Sequence, residues 1–400
     1  MASDRGGKAV AAGYLAHLMG CVLSERVPDG LPAGCSWADV TSNARENSIL
    51  GLVWHAARVL DGIPDDVRES CQRFSDMVAL HNVRYEAERE AICAALRAEG
   101  LSVLPLKGAG LVSRYPDYSM REVGDNDLLY GFVDADADGS LHGRPDPDGS
   151  LLARAQGVAR RVMEGLEYEL VAGPDRVHME FCKDPGLCFE LHHALFDDLV
   201  PFRVRYDDPW RFARVRRGAL GVTPAPDHPA GFELGLPPED EYVYLMAHAY
   251  KHSVYRGFGL RTLADVVVML GVLGDGANWS YVDAQLEELD ISGFAARLRG
   301  LAVAVRDGAP LTGDQLDAVM HMMLSGTYGN DAKAYRIRMR RYALEGCSPR
   351  LAELSRFFSF DSVRGLPEFS VFRDHLAPRP LFQSCALSSG LANLFVTQPC

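Results

Sequence analysis

At Gly100 the chain changes its hydrophobic period, and that change decides its class of fold. Before it, apolar residues recur at three- and four-residue steps, as in Leu50, Val53, Trp54, Ala57 and Leu60, the stripe of a helix packed on one side. Asp76–Glu99 predicts a long helix that Gly100 ends as a C-cap glycine. Beyond it, the short apolar runs Leu101–Leu106, Asp125–Tyr130, Arg176–Lys183 and Leu187–His192 predict strands. The last two flank Asp184-Pro185-Gly186, turn chemistry that folds them back on each other. Leu151–Leu166 is an amphipathic helix, and helical patterning returns from Pro237 to about residue 345, clearest in Glu239–His252 and Arg261–Leu273. The expected organisation is α+β: an N-terminal helical region over 1–94, a mixed core over 95–236 with an exposed insertion loop at 131–150, a C-terminal helical domain over 237–345, and a tail, 346–400, with no assigned structure.

A chain of 400 residues, 48% hydrophobic and 24% charged, has material for a sizeable core, which excludes a disordered or collagen-like protein. It has no apolar run of membrane-spanning length. Lys8 precedes the apolar stretch Ala9–Leu23, but His17 and Gly20 interrupt it, so it reads as a first core helix rather than a secretion signal. The formal charge of −13 argues against an extended nucleic-acid partner. Nine widely spaced cysteines without a CxxC pair suggest reduced thiols in a cytoplasmic protein. Asp134, Asp136, Asp138 and Gly139 imitate the start of an EF-hand loop, but Pro145 stands where a bidentate glutamate is needed. His248 and His252 have the spacing of helical zinc ligands, yet Ala249 replaces the glutamate of HExxH, leaving a substrate-facing or packed pair.

The chemistry-bearing residues lie in the mixed core. In a strand, Asp125 and Asp127 share one face while Asn126 and Leu128 take the other. Neighbouring carboxylates need a shared proton or a cation, and hard dications such as Mg²⁺ favour such oxygen pairs together with substrate phosphates. Glu190 and His192 alternate with core-facing Phe189 and Leu191. A strand bearing Glu190 laid beside Asp125 and Asp127 would assemble the carboxylates of a two-metal phosphoryl or nucleotidyl transfer site. Between strand and helix, Lys107-Gly108-Ala109-Gly110 offers glycines and helix amides for phosphate, with Lys107 and Arg121 as cations. Lys251, Arg261 and Asp265 could line a cleft beside the histidine pair, with Asp265 alternatively serving as structure.

In order, Leu106-Lys107-Gly108, Tyr115-Pro116, Arg121, Asp125-Asn126-Asp127-Leu128-Leu129 and Glu190-Leu191-His192 resemble the uncharacterised nucleotidyltransferase family of the DNA polymerase beta-like superfamily, over about residues 95–270. The resemblance implies a minimal nucleotidyltransferase core, a small mixed sheet with flanking helices. It matches Asp125, Asp127 and Glu190 to the metal carboxylates, and Gly108 to the glycine of the nucleotide-binding turn. Ala109 departs from the Ser or Gly common in the superfamily, and Asn126 from the usual apolar residue.

The expected activity is Mg²⁺- or Mn²⁺-dependent transfer of a nucleoside monophosphate from an NTP to a hydroxyl of a small molecule or peptide, releasing pyrophosphate. Lys107, Gly108, Ala109, Arg121 and His192 would grip the nucleotide, and His248, Lys251, His252 and Arg261 the acceptor. The composition suggests a high-GC bacterial source and a role in secondary metabolism. The rivals are a nucleotide sensor without transfer, a phosphohydrolase using the same carboxylates on water, and a toxin-like transferase acting on tRNA or protein.

Overall fold

The computed structural model describes residues 2–124, 126–136, 140–174, 177–196, 200–215, 233–255 and 257–327. The expectations for Asp125, the helical pattern past 327 and the tail lie outside them, as do Asp138 and Gly139.

Helices α1 (Ala2–Leu23), α2 (Trp37–Glu46) and α3 (Leu50–Ala57) precede α4 (Asp65–Ala98), which starts earlier than its sequence pattern suggests. Ser36 caps α2, with Asp39 closing a capping box. Strand β1 (Ser102–Leu106) runs into the short α5 (Lys107–Leu111) and a 3-10 turn, Val112–Arg114. Next come β2 (Asn126–Gly131), β3 (Val133–Ala135), β4 (Leu141–Gly143), α6 (Ser150–Gly165), β5 (Glu169–Ala172), β6 (His178–Lys183) and β7 (Leu187–His192). The chain continues through α7 (Val200–Arg205), β8 (Arg214–Val215), β9 (Leu234–Gly235), α8 (Pro238–Tyr255), α9 (Leu260–Leu273), α10 (Trp279–Glu288), α11 (Ser292–Asp307) and α12 (Gly313–Ser325). None of the described helices is long and apolar enough to cross a membrane.

The architecture is α+β, with a five-stranded mixed sheet in the order β1-β2-β7-β6-β5. β2 and β7 run parallel, joined through a connection that includes α6, and the other neighbours are antiparallel. One face packs Leu128, Tyr130, Phe181, Phe189 and Leu191 against Tyr85, Ile92 and Leu96 of α4 and Val158 and Met163 of α6. Leu104, Leu106 and Leu129 join a second core built by helices from both halves of the chain, in which α1 packs on α3, α9, α11 and α12. α4 also holds the segment that carries Arg121, because the Asn82 amide donates to the carbonyls of Tyr118 (2.6 Å) and Arg121 (2.7 Å).

Two expectations are corrected. The stretch 131–150 is not simply an exposed loop: β3 and β4 pair, Val133 and Leu141 are buried, and Ser150 opens α6. Its glycines seat a side chain, since a Cβ at Gly131 would lie 3.3 Å from the Trp210 indole and one at Gly143 3.5 Å from it. The cysteines are not all reduced either. Cys182 and Cys188, directly opposed across the β6–β7 hairpin with Cα atoms 4.2 Å apart, form a disulfide.

Candidate active site

The site lies where β2 and β7 run side by side. The register sets Asp127 against Glu190 and Leu129 against His192. Alternation sends Asn126 to the α4 side, where Arg89 donates to its side-chain oxygen, and sends Asp127 to the opposite face. Asp127 is buried, 3% exposed, whereas Glu190 is half-buried. The carboxylates converge on one atom: His192 Nε2 donates to Asp127 Oδ1 at 2.9 Å and to Glu190 Oε2 at 3.1 Å. Lys107 Nζ takes the other oxygen of Asp127 at 3.1 Å. The counter-charge demanded by two close carboxylates is therefore supplied by an imidazole and an ammonium.

Burial alone would raise the Asp127 carboxyl, but Lys107 and then His192 outweigh it and hold it well below the usual carboxylate range. Burial alone would lower His192, yet its bonds to Asp127 and Glu190 hold the imidazole above its ordinary value. The other ring nitrogen, Nδ1, is buried without a hydrogen-bond partner among the described residues. On β6, Glu180 lies opposite Glu190, and burial followed by the Glu190 charge pushes its carboxyl up.

Lys107 enters α5 with φ +44°, in the left-handed region. At the next residue a Cβ would sit 2.8 Å from Arg121 Nη1. Glycine at 108 thus makes room for a guanidinium. Arg121 in turn grips Asp265 of α9 through Nε (2.7 Å) and Nη2 (3.0 Å), and the Tyr115 hydroxyl donates to Asp265 at 2.7 Å. Both Arg121 and Asp265 are buried, so this fork braces the turn from beneath. Gly108 and Ala109 are buried as well.

Helix α8 walls the other side. His248 and His252 bring their Nε2 atoms to 3.1 Å. Burial, then Lys107 and His252, push His248 well below its ordinary value, leaving a neutral ring. Lys251 lies 6.0 Å over the Phe196 ring. Arg261, on α9, donates to the Glu122 carbonyl at 3.2 Å. Two residues escaped the sequence reading. Tyr244, one helical turn before His248, is fully buried within electrostatic reach of Lys107, Asp127 and Glu190, and burial raises its phenol. Its four-residue step to His248 was the available signal. His178, opposite His192 across the hairpin with ring centroids 5.0 Å apart, was readable only by counting register through the turn.

The described residues fit a bound dication in donor type, since the oxygens of Asp127 and Glu190 already reach one common atom, the Nε2 that bears a proton between them. Asp125, expected as the third carboxylate, lies outside the described residues.

A family model described as an uncharacterised nucleotidyltransferase matches residues 34–306. The curated proteins and the solved structures yield no match.

Proposed function

We propose, for a chain that belongs to the uncharacterised nucleotidyltransferase family, that the β2–β7 site transfers a nucleoside monophosphate from an NTP to a hydroxyl group. The observation that carries this is the convergence of Asp127 and Glu190, on adjacent strands, at a single atom of His192. In the balanced reaction the acceptor oxygen bonds to the α-phosphorus, the bond to the β,γ-diphosphate breaks, and pyrophosphate and the hydroxyl proton leave.

Asp127 and Glu190, together with Asp125 two residues earlier in sequence, would hold Mg²⁺ or Mn²⁺, which when bound supplies charge neutralisation at the phosphates and acidifies the acceptor hydroxyl. Glu190, the more exposed carboxylate, receives the hydroxyl proton. Asp127 remains ionised throughout, because Lys107 and His192 hold it so. Lys107 lends its charge to phosphate oxygens, at a turn braced by Arg121. His248, neutral and facing Lys107, lines the acceptor side together with Tyr244, His252 and Lys251, while Arg261 steadies the segment leading into β2. A small molecule or peptide suits the acidic chain better than extended nucleic acid.

The test is incubation with each α-labelled NTP, Mg²⁺ and extract of the source cell. A labelled product, or labelled protein, that vanishes with Asp127→Asn supports transfer. A second reading draws on the Lys107–Asp127 pair, which already neutralises the carboxylate: a nucleotide sensor. Mg²⁺-dependent nucleotide binding with no pyrophosphate release from any acceptor would select it.

A further inference from the structure

We propose that His178, Glu190 and His192 form a site for a borderline transition-metal dication of the Zn²⁺ or Co²⁺ type, chemically distinct from an all-oxygen Mg²⁺ site. The inference rests on the transferase reading only in sharing Glu190.

The hairpin register builds the site. His178 and His192 are directly opposed on β6 and β7, and Glu190 stands two residues before His192 on the same face. The imidazoles stack with centroids 5.0 Å apart and planes 28° from parallel. Glu190 Oε2 is the atom they share, at 3.1 Å from His192 Nε2 and 3.8 Å from His178 Nε2. One donor atom from each of the three residues lies within 4.8 Å of the others.

Those spacings are close to those of a coordination shell. Donors bound tetrahedrally at about 2.0–2.2 Å stand roughly 3.3–3.6 Å apart, and the measured 3.1 and 3.8 Å bracket that interval. Asp127 Oδ1, 2.9 Å from His192 Nε2, is placed to offer a fourth donor. Two imidazole nitrogens in the set select against Mg²⁺, which takes oxygen, and favour Zn²⁺ and its neighbours in the transition series. The His192 Nε2 proton leaves to solvent as the ion binds. Glu190, whose oxygen both imidazoles approach, supplies the anionic donor of the set.

The experiment is a Co²⁺ titration of the full-length, metal-stripped protein without nucleotide, read by visible absorption. His178→Gln is the main variant, because His178 is partly exposed and its loss leaves the core intact. Co²⁺ affinity should fall at least about tenfold in His178→Gln and in Glu190→Gln, and Zn²⁺ but not excess Mg²⁺ should displace Co²⁺ from the wild type. Unchanged Co²⁺ affinity in His178→Gln, or Mg²⁺ competing as well as Zn²⁺, overturns the proposal. The titration needs no turnover, so its failure is separable from failure of the Asp127→Asn labelling test.

Discussion

Replacing Asp265 with asparagine tests the brace under the Lys107–Gly108 turn. Arg121 and Asp265 are 5% and 4% exposed, and the carboxylate accepts two bonds from the guanidinium and one from Tyr115. Asparagine keeps the volume, so no cavity contributes. What is lost is the negative charge facing the Nε and Nη2 edge of the buried guanidinium. Breaking one partner of a buried pair costs about 3–5 kcal/mol. Gly108→Ala strains the same group from above, with its Cβ 2.8 Å from Nη1, an overpacking worth about 1–3 kcal/mol. Asp265→Asn weakens the hold on the Nε and Nη2 edge of Arg121, so the guanidinium yields more readily to that methyl. The double variant should therefore lose less than the sum of the singles, by about 1 kcal/mol or more. Urea unfolding of the four proteins measures each quantity. A loss under about 1 kcal/mol for Asp265→Asn, or strict additivity in the double variant, would refute the argument.

Lys107→Gly and Lys107→Ala both lose the ion pair with Asp127, but only glycine accepts φ +44° without strain, so Lys107→Gly should be the more stable by about 1 kcal/mol in the same assay. Equal stability would remove the strain argument. Burial pushes Glu122 up to about 7, against the opposing pull of Arg261, the Leu50 amide and Arg45. The folded state then binds more protons than the unfolded one between about pH 4.5 and 7, so this group's stabilisation is present below that window and lost across it as pH rises, by about 3 kcal/mol. Glu122→Gln should flatten the unfolding free energy between pH 5 and 8; parallel pH profiles for the two proteins would contradict the assignment. Gly51→Ala should destabilise by more than about 3 kcal/mol, because its Cβ would fall 1.8 Å from the Ser119 carbonyl oxygen, and a melting temperature within a degree of wild type would show that α3 shifts freely.

Much of the site was legible because it rests on local rules. The alternation in Phe189–His192 sorted Glu190 and His192 from the core residues, and Asp184-Pro185-Gly186 announced the hairpin. The pairing of the Glu190 strand with the Asp127 strand stood in the sequence only as a condition, and its parallel sense not at all, since a long connection leaves no local trace of which strands meet. Arg121 and Asp265 are 144 residues apart in sequence, and the role of Gly108 as a seat for Arg121 depends on that distant contact. Gly131 and Gly143 read as loop residues because glycine signals turns, whereas here they make room for Trp210. Cys182 and Cys188 looked isolated in sequence and become neighbours only once the hairpin register is counted.

The most direct measurement is anomalous scattering from crystals grown with Mn²⁺ and an NTP whose α–β bridging oxygen is replaced by a methylene group. A manganese peak is expected in contact with carboxylate oxygens of both Asp127 and Glu190 and with the bound phosphates. Manganese held by the phosphates alone, with Asp127 still paired to Lys107, would contradict it.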